Sequence, residues 1–111
     1  MKWLSRKEEF VMLAVKALGE DAYGVSIKLF LDRATGKRWS IGATYDVLDR
    51  LMRKKCLSSK TSGPTPERGG KSKRLYLITD QGQQALIELR EMQKAMQMKA
   101  LKPVLKTGDM G

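Results

Sequence analysis

The sequence contains no histidine, a single cysteine and three prolines. Without histidine, the side chain that most often serves as a general acid, general base or metal ligand near neutral pH is missing. Cys56 has no partner for an intramolecular disulfide, so a reducing cytoplasm is the default compartment. No pair of carboxylates lies in an apolar setting that would tune it for catalysis. We therefore expect no enzyme, no metal site and no cofactor.

Long apolar runs are also missing. Residues 10–15 form an apolar stretch that is far too short to span a bilayer and is followed by Lys16. The N-terminus lacks the basic, apolar and small-residue regions of a signal peptide. A chain of 111 residues with 41% hydrophobic content fits one domain with a modest core. We expect a cytoplasmic protein with no membrane partner.

Positive charge is abundant and concentrated in one part of the chain. There are 22 basic and 12 acidic residues, and residues 33–76 hold 12 of the basic residues but only 3 of the acidic ones. Such a concentration is what phosphate binding through counterion release requires. It is also compatible with an anionic membrane surface or with solubility alone.

Residues 38–55 predict a short amphipathic helix that begins after an N-cap at Ser40. At 100° per residue, one side is expected to face the core and contains Ile41, Thr44, Leu48, Leu51 and Met52. The other side contains Gly42, Ala43, Asp46, Arg50 and Arg53. Its first turn is nearly bare, and its later turns and flanks are basic. Such a helix can approach a flat, anionic partner.

Two helices are predicted before this one. The first begins at Ser5, which with Glu8 has capping-box spacing, and ends near Gly19. Residues 10–18 are apolar nearly all round, which is typical either of a central core helix or of one packed on its domain and on a second subunit. The second covers about residues 23–34, and the short link that follows indicates a helix-turn-helix unit with Trp39 as a hydrophobic staple.

A hairpin and a long helix follow. The strands are predicted at residues 57–61 and 74–78, and the link between them carries Arg68, Lys71 and Lys73, with Arg74 next; this tip is either a solvated loop or a charged flap. The last helix is predicted from Thr79 to about Leu101, before Pro103, with residues 102–111 as a flexible tail. Its apolar stripe, from Ala85 to Ala100, extends beyond what a small core can cover and therefore predicts a partner.

In this order the pieces resemble the PadR-like family of winged-helix transcriptional regulators over about residues 10–89. The residues that carry the resemblance are Tyr23, Gly24 and Ile27; Gly36, Trp39 and Ser40; Gly42, Tyr45, Leu48, Arg50 and Leu51; the run PTPERGGKSKRLYLIT from Pro64 to Thr79; and Gly82. The segment ERGG at residues 67–70 is the most specific. The chain would be the short type, without a separate C-terminal domain.

The resemblance implies a mainly α fold with a small β-hairpin: a winged helix-turn-helix at residues 1–79 and a dimerisation helix at residues 80–101. It implies a homodimeric repressor that binds double-stranded DNA at a pseudo-palindromic operator, with the third helix in the major groove and the hairpin, the wing, along the backbone. The predicted DNA contacts of the third helix and the turn before it are Lys37, Arg38, Ser40, Gly42, Ala43, Tyr45, Asp46, Arg50 and Arg53. Those of the wing are Arg68, Lys71, Lys73 and Arg74.

Further expectations concern the dimer and an effector. The predicted dimer interface contains Phe10, Leu13, Leu86, Leu89, Met92 and Met96. A small apolar aromatic effector is expected to use a crevice near Trp3, Met92 and Met96. Two other function classes remain open: a regulator whose main role is ligand sensing, and a winged helix that serves as a protein-interaction or architectural module without an operator.

Three positions depart from the family pattern. Thr44 replaces a common aliphatic residue and Asp46 a common proline, which leaves the base preference open because a carboxylate can accept from a cytosine amino group but repels phosphate. Cys56 stands where glycine usually follows the third helix, which leaves the geometry of that helix cap open.

Overall fold

A computed structural model describes residues 3–62 and 73–110, with side chains up to Leu101. In chain order the elements are α1 (Arg6–Leu18), α2 (Gly24–Thr35), α3 (Ile41–Arg53), β1 (Leu57–Ser62), β2 (Lys73–Ile78) and α4 (Asp80–Met110), with a 3₁₀ turn at Gly19–Asp21. The predicted class is confirmed: a mainly α chain with one antiparallel hairpin, in winged helix-turn-helix order.

The helix starts follow from local side-chain chemistry. Ser5 Oγ accepts a hydrogen bond from the Glu8 backbone N–H at 3.1 Å, and Glu8 Oε1 accepts from the Ser5 N–H at 2.7 Å, so the predicted capping box is present. Helix α2 ends at Thr35, and the next residue, Gly36, takes a left-handed conformation with φ 70°. A residue without Cβ adopts this conformation at little cost. The predicted end of α2 is therefore confirmed.

The core lies where α1, α2 and α3 meet the hairpin. Its fully buried large side chains include Met12 from α1, Ile27 and Leu31 from α2, Leu48 from α3 and Tyr76 from β2. Each such aliphatic side chain contributes about 1.5–3 kcal/mol when it leaves water. Thr44 and Glu8 are also buried, and in both cases hydrogen bonds satisfy the polar atoms. The Thr44 hydroxyl donates to the Ser40 carbonyl at 2.9 Å, which explains how a polar residue is accommodated at a core position.

The hairpin is tied to the helices through its second strand. Strands β1 and β2 pair antiparallel from Leu57 opposite Ile78 to Ser62 opposite Lys73. On its other edge β2 forms a single bridge, Tyr23 opposite Leu75, and the Tyr76 N–H donates to the Ala22 carbonyl at 2.9 Å. The start of α2 therefore acts as a minimal third strand and fixes the direction in which the wing leaves the core.

The start of α4 is locked against the end of α3. Thr79 is the N-cap, as predicted: its hydroxyl accepts from the Gly82 N–H at 2.9 Å, and it also donates to the Lys55 carbonyl at 2.7 Å. A Cβ at Gly82 would lie 2.1 Å from the Cys56 carbonyl oxygen, so only glycine permits this approach. Orphan carbonyls at the end of α3 thus find their partners in the next helix.

Helix α4 continues to Met110, beyond the predicted end near Leu101 and through Pro103. A proline removes one backbone N–H and crowds the preceding turn, which weakens or bends a helix without necessarily ending it. At 1.5 Å per residue the helix is about 46 Å long, and the molecule measures 71 × 29 × 20 Å. The second half of α4 therefore projects from the core.

Candidate nucleic-acid interface

The residues on the outward face of α3 are those that the sequence predicts, but Val47 takes the place of Ile41 on the buried side. Gly42, Asp46, Arg50 and Arg53 are exposed, and Ala43 is half-buried. The prediction that Ile41 belongs to the core is wrong: 43% of its surface is exposed, whereas Val47 is buried to 2%. The reason is that the first turn of α3 extends past the edge of the core, which a helical wheel does not register.

The bare first turn of α3 is held in place by its cap. Ser40 Oγ accepts from the Ala43 N–H at 3.0 Å, as predicted. A Cβ added at Gly42 would meet nothing within 4 Å, so this side of the helix opens onto free space. Backbone and small side chains at this turn can therefore approach a neighbouring surface closely.

The turn between α2 and α3 is fixed by Asp32, a role that the sequence did not indicate. The Trp39 backbone N–H donates to Asp32 Oδ1 at 2.6 Å, and Lys28 bonds the other carboxylate oxygen in an i,i+4 ion pair. The Lys28 ammonium, followed by the Trp39 N–H, holds the pKa of Asp32 below its usual value. Trp39 packs against the core and donates from Nε1 to Thr35 Oγ1 at 3.3 Å, which agrees with a structural role. These bonds set the angle at which α3 leaves α2.

The end of α3 is fixed by a buried ion pair with α1. Lys54 Nζ lies 2.7 Å from Glu8 Oε1, and the Glu8 side chain is only 1% exposed. Burial acts to raise the pKa of Glu8, but the hydrogen bond from Lys54 and the Ser5 N–H together outweigh it and hold that pKa below its usual value. This pair joins residues 46 positions apart and attaches the last turn of α3 to the start of α1.

The cap that follows uses Lys55 rather than Cys56. Lys55 has a left-handed backbone with φ 63°, its N–H donates to the Met52 carbonyl, and the Cys56 N–H donates to the Leu51 carbonyl, each at 3.0 Å. This is the Schellman pattern with lysine at the position that glycine usually occupies. Cys56 is buried, and burial raises the pKa of its thiol.

The wing lies next to the start of α2 and the middle of α3. Lys73 Nζ sits over the Tyr23 ring, 5.0 Å from its centroid. The Tyr45 hydroxyl occupies the space that a side chain at Gly24 would need, since a Cβ there would lie 2.1 Å from it. A hollow of about 580 Å³ separates these elements and is lined by Tyr23, Gly24, Val25, Ser26, Leu29, Tyr45, Lys73 and Arg74. Because α3 and β2 border the same hollow, a partner that binds α3 would also contact β2.

The predicted basic residues occupy the rim of this face. Lys37 and Arg38 are exposed on the turn before α3, Arg50 and Arg53 on its later turns, and Lys73 and Arg74 on the first residues of β2. Burial raises the pKa of the nearby Tyr76 hydroxyl, and the positive charge of Arg74 acts against that rise. Arg68 and Lys71 lie outside the described residues. The described basic residues border a surface whose central side chains are small, apolar or acidic.

The residues predicted for a dimer interface separate into two groups. Leu86 and Leu89 are each 7% exposed, so they belong to the core of their own chain and little of either is left for a second subunit. Phe10 and Met92 are half-buried, whereas Leu13 is 40% and Met96 60% exposed. Further along α4, Met98 and Leu101 are each 62% exposed. Of the residues predicted for the interface, those left most exposed are therefore Leu13 on α1 and Met96 on the projecting half of α4.

A second hollow, of about 550 Å³, lies between α1 and α2. It is lined by Phe10, Leu13, Phe30, Leu31, Ala34, Thr35 and Lys37. Within the described chain, Trp3 is 57% exposed, and the crevice predicted near Trp3, Met92 and Met96 stays a prediction.

Among the described residues, no group of three or more acidic or cysteine side chains could hold a metal ion. In the same part of the chain, no helix is both long and apolar enough to cross a membrane.

Comparisons with known proteins agree with this geometry. Residues 12–88 match the transcriptional regulator PadR-like family. A PadR-like transcription factor from Bacteroides fragilis superposes with a TM-score of 0.72 at 26% identity, covering 86% of this chain and 87% of that one. A PadR family regulator from Eggerthella lenta gives a TM-score of 0.65 at 27% identity, covering 90% and 84%. A PadR-like transcriptional regulator from Bacillus cereus shows the same fold, with a TM-score of 0.65 at 18% identity, covering 88% of this chain and 93% of that one. A search of curated proteins found no match.

Proposed function

The chain belongs to the PadR-like family of transcriptional regulators, and from that premise we propose that it represses transcription by binding a pseudo-palindromic operator in double-stranded DNA as a homodimer. The observation that carries the proposal is the outward face of α3. Its first turn is open at Gly42, and exposed Arg50 and Arg53 follow on the later turns. A helix end that can approach base edges, flanked by long basic side chains that reach phosphates, is the arrangement that major-groove recognition needs.

Each basic or base-facing side chain has a role in the proposed complex. Ser40, Gly42, Ala43 and Asp46, with Tyr45 at the edge, face the bases; Lys37, Arg38, Arg50 and Arg53 contact phosphates; and the wing adds Lys73 and Arg74, together with Arg68 and Lys71. Asp46 is the one acidic group on the first turns of this face, and a carboxylate is suited to accept from a cytosine amino group. Base choice is therefore assigned to the start of α3 and affinity to its surroundings.

The homodimer is supported by uncovered apolar surface at two places. Leu13 borders the hollow between α1 and α2, and Met96, Met98 and Leu101 project from the core on α4. Pairing across a two-fold axis would cover both with one self-complementary interface. It would also present two α3 helices to successive major grooves, about 34–36 Å apart along the duplex.

A response to a small apolar aromatic effector is a further part of the proposal. It is supported by the exposed Trp3 and Met96, which offer an indole and a polarisable thioether to such a molecule. Binding should quench the fluorescence of Trp3, and a Trp3→Phe variant should lose most of that signal while the half-buried Trp39 remains.

The experiment that tests the function is footprinting on the DNA upstream of the protein's own gene. The proposal expects protection of two half-sites, centred about one turn of DNA apart, and an affinity that falls steeply with salt. Binding without any protected sequence would favour an architectural role. No binding to duplex DNA at all would favour a protein-interaction module.

A further inference from the structure

Ile41 is the residue of α3 whose position its own fold does not explain. The buried side of α3 is complete without it, since Thr44, Val47, Leu48 and Leu51 are each 2% exposed or less. Ile41 is 43% exposed at the first position of the helix. Isoleucine is also a weaker helix former than many polar residues, because its branched Cβ loses rotamer freedom in a helix. Neither core packing nor helix propensity therefore accounts for isoleucine here.

The surroundings of Ile41 are those of a contact surface. It follows the N-cap Ser40 and precedes Gly42, beside which there is open space. One turn further on, Tyr45 is 38% exposed and stands on the same side of the helix. Ile41 is thus an aliphatic group at the leading end of a helix whose flanks are basic.

We infer that Ile41 reads the C5-methyl group of a thymine in each half-site by apolar contact in the major groove, an inference that rests on the DNA-binding function proposed above. In the major groove the thymine methyl is the group on a base edge that an aliphatic side chain can contact favourably. Isoleucine has no donor or acceptor, so it cannot read the hydrogen-bonding pattern of any base. The start of α3 would then combine a polar reader, Asp46, with an apolar one.

The test uses duplexes in which one thymine at a time is replaced by deoxyuridine, which lacks only the methyl group. Each duplex is derived from the operator that footprinting identifies. It is titrated with the parent protein, with Ile41→Ala and with Ile87→Ala. Ile87 is a matched control because it is also 43% exposed but lies on α4. Circular dichroism checks that each variant keeps its helix content.

At one thymine of each half-site we expect the parent to lose about fourfold in affinity when the methyl is removed, the value of one buried carbon group. Ile87→Ala should show the same loss, whereas Ile41→Ala should bind both duplexes equally well. If the parent tolerates deoxyuridine at every position, or if Ile41→Ala remains as sensitive as the parent, the inference is wrong while the proposed function stands. A parent protein that selects no operator overturns both.

Discussion

Ser40 and Lys55 mark the two ends of α3, and they do so by different means. The Ser40 cap satisfies a backbone donor at no conformational cost. Lys55 closes the helix only by adopting φ 63°, a conformation in which its Cβ crowds the backbone. The cap after α3 therefore contains a local strain that the rest of the fold must offset.

Replacing Lys55 with glycine should relieve this strain. We expect Lys55→Gly to raise the free energy of unfolding by about 0.5–1 kcal/mol, since glycine adopts positive φ freely but loses more chain entropy on folding. Lys55→Ala removes the same charge and keeps the strained backbone, so it serves as the control and should give no gain. Urea unfolding at one fixed protein concentration measures the difference. Equal stability of the two variants would mean that the strain is no larger than the entropy that glycine loses on folding.

The buried pair between Glu8 and Lys54 makes stability depend on pH. The folded-state pKa of Glu8 is lowered, so its contribution is fully present above the ordinary carboxyl pKa of about 4.5 and is lost as the pH falls through the folded-state value. At pH 7, Glu8→Gln should cost about 1–3 kcal/mol, less than for a fully buried pair because Lys54 is partly exposed.

The gap in unfolding free energy between the parent and Glu8→Gln should therefore shrink when both are measured below pH 4. The exposed Glu20 in the 3₁₀ turn after α1 provides the control, and Glu20→Gln should differ little from the parent at either pH. A gap that is constant from pH 7 to pH 3 would show that the ionised Glu8 is not the stabilising form.

The sequence indicated the features that depend on near neighbours and missed those that depend on distant ones. The caps at Ser5, Ser40 and Thr79 were predictable because donor and acceptor are three residues apart. The exposure of Ile41 was not, because periodicity gives the direction of a side chain but not the edge of the core. The Glu8–Lys54 pair was also missed, because only the folded chain brings these two residues together.

At the scale of elements, the wing is a hairpin whose root is well anchored. Tyr23 pairs with Leu75 and carries Lys73 over its ring, so the start of α2 determines where β2 points. The strands themselves were predicted within one residue, because their alternation and the turn residues between them are local signals. Their connection to α2 through one bridge has no such signal in the sequence.

If the wing follows the DNA backbone, its lysines should contribute affinity without sequence preference. Replacing Lys71 and Lys73 together with alanine should flatten the slope of log affinity against log salt by about 0.9 for each phosphate that is no longer neutralised. Operator and random duplexes should weaken alike. The control is a double variant, Lys94→Ala with Lys99→Ala, which removes two positive charges from α4 and should leave the slope unchanged. An unaltered slope in the wing variant would exclude the phosphate contacts.

At the scale of the molecule, the projecting half of α4 is the feature that a single chain leaves unexplained. Met96 is 60% exposed on it, and the neighbouring Gln97 is exposed as well. Leu89, in contrast, is part of the core, so a charge there would unfold the chain and reveal nothing about a partner. Met96 is therefore the position at which dimerisation can be tested separately from folding.

We expect Met96→Glu to weaken the homodimer at least about a hundredfold, since one buried methionine is worth about 1.5–3 kcal/mol and the two-fold axis counts it twice. Operator affinity should fall with it while the helix content stays. Gln97→Glu adds the same charge beside it without removing an apolar side chain and should remain dimeric. Light scattering over a concentration series, with operator titration, measures both effects. A monomeric parent, or a monomeric variant with full operator affinity, would refute the dimer proposal.

The central claim is that the outward face of α3 reads DNA sequence, and selection from randomised duplexes tests it most directly. The parent, Asp46→Ala and Glu91→Ala are selected in parallel; Glu91→Ala removes the same charge from an exposed position on α4. The parent should enrich a two-fold-related motif with half-sites about 10–10.5 base pairs apart. Glu91→Ala should enrich the same motif. Asp46→Ala should change the preferred base at one position of each half-site. A parent that enriches no motif, or an Asp46→Ala profile identical to that of the parent, would contradict the claim.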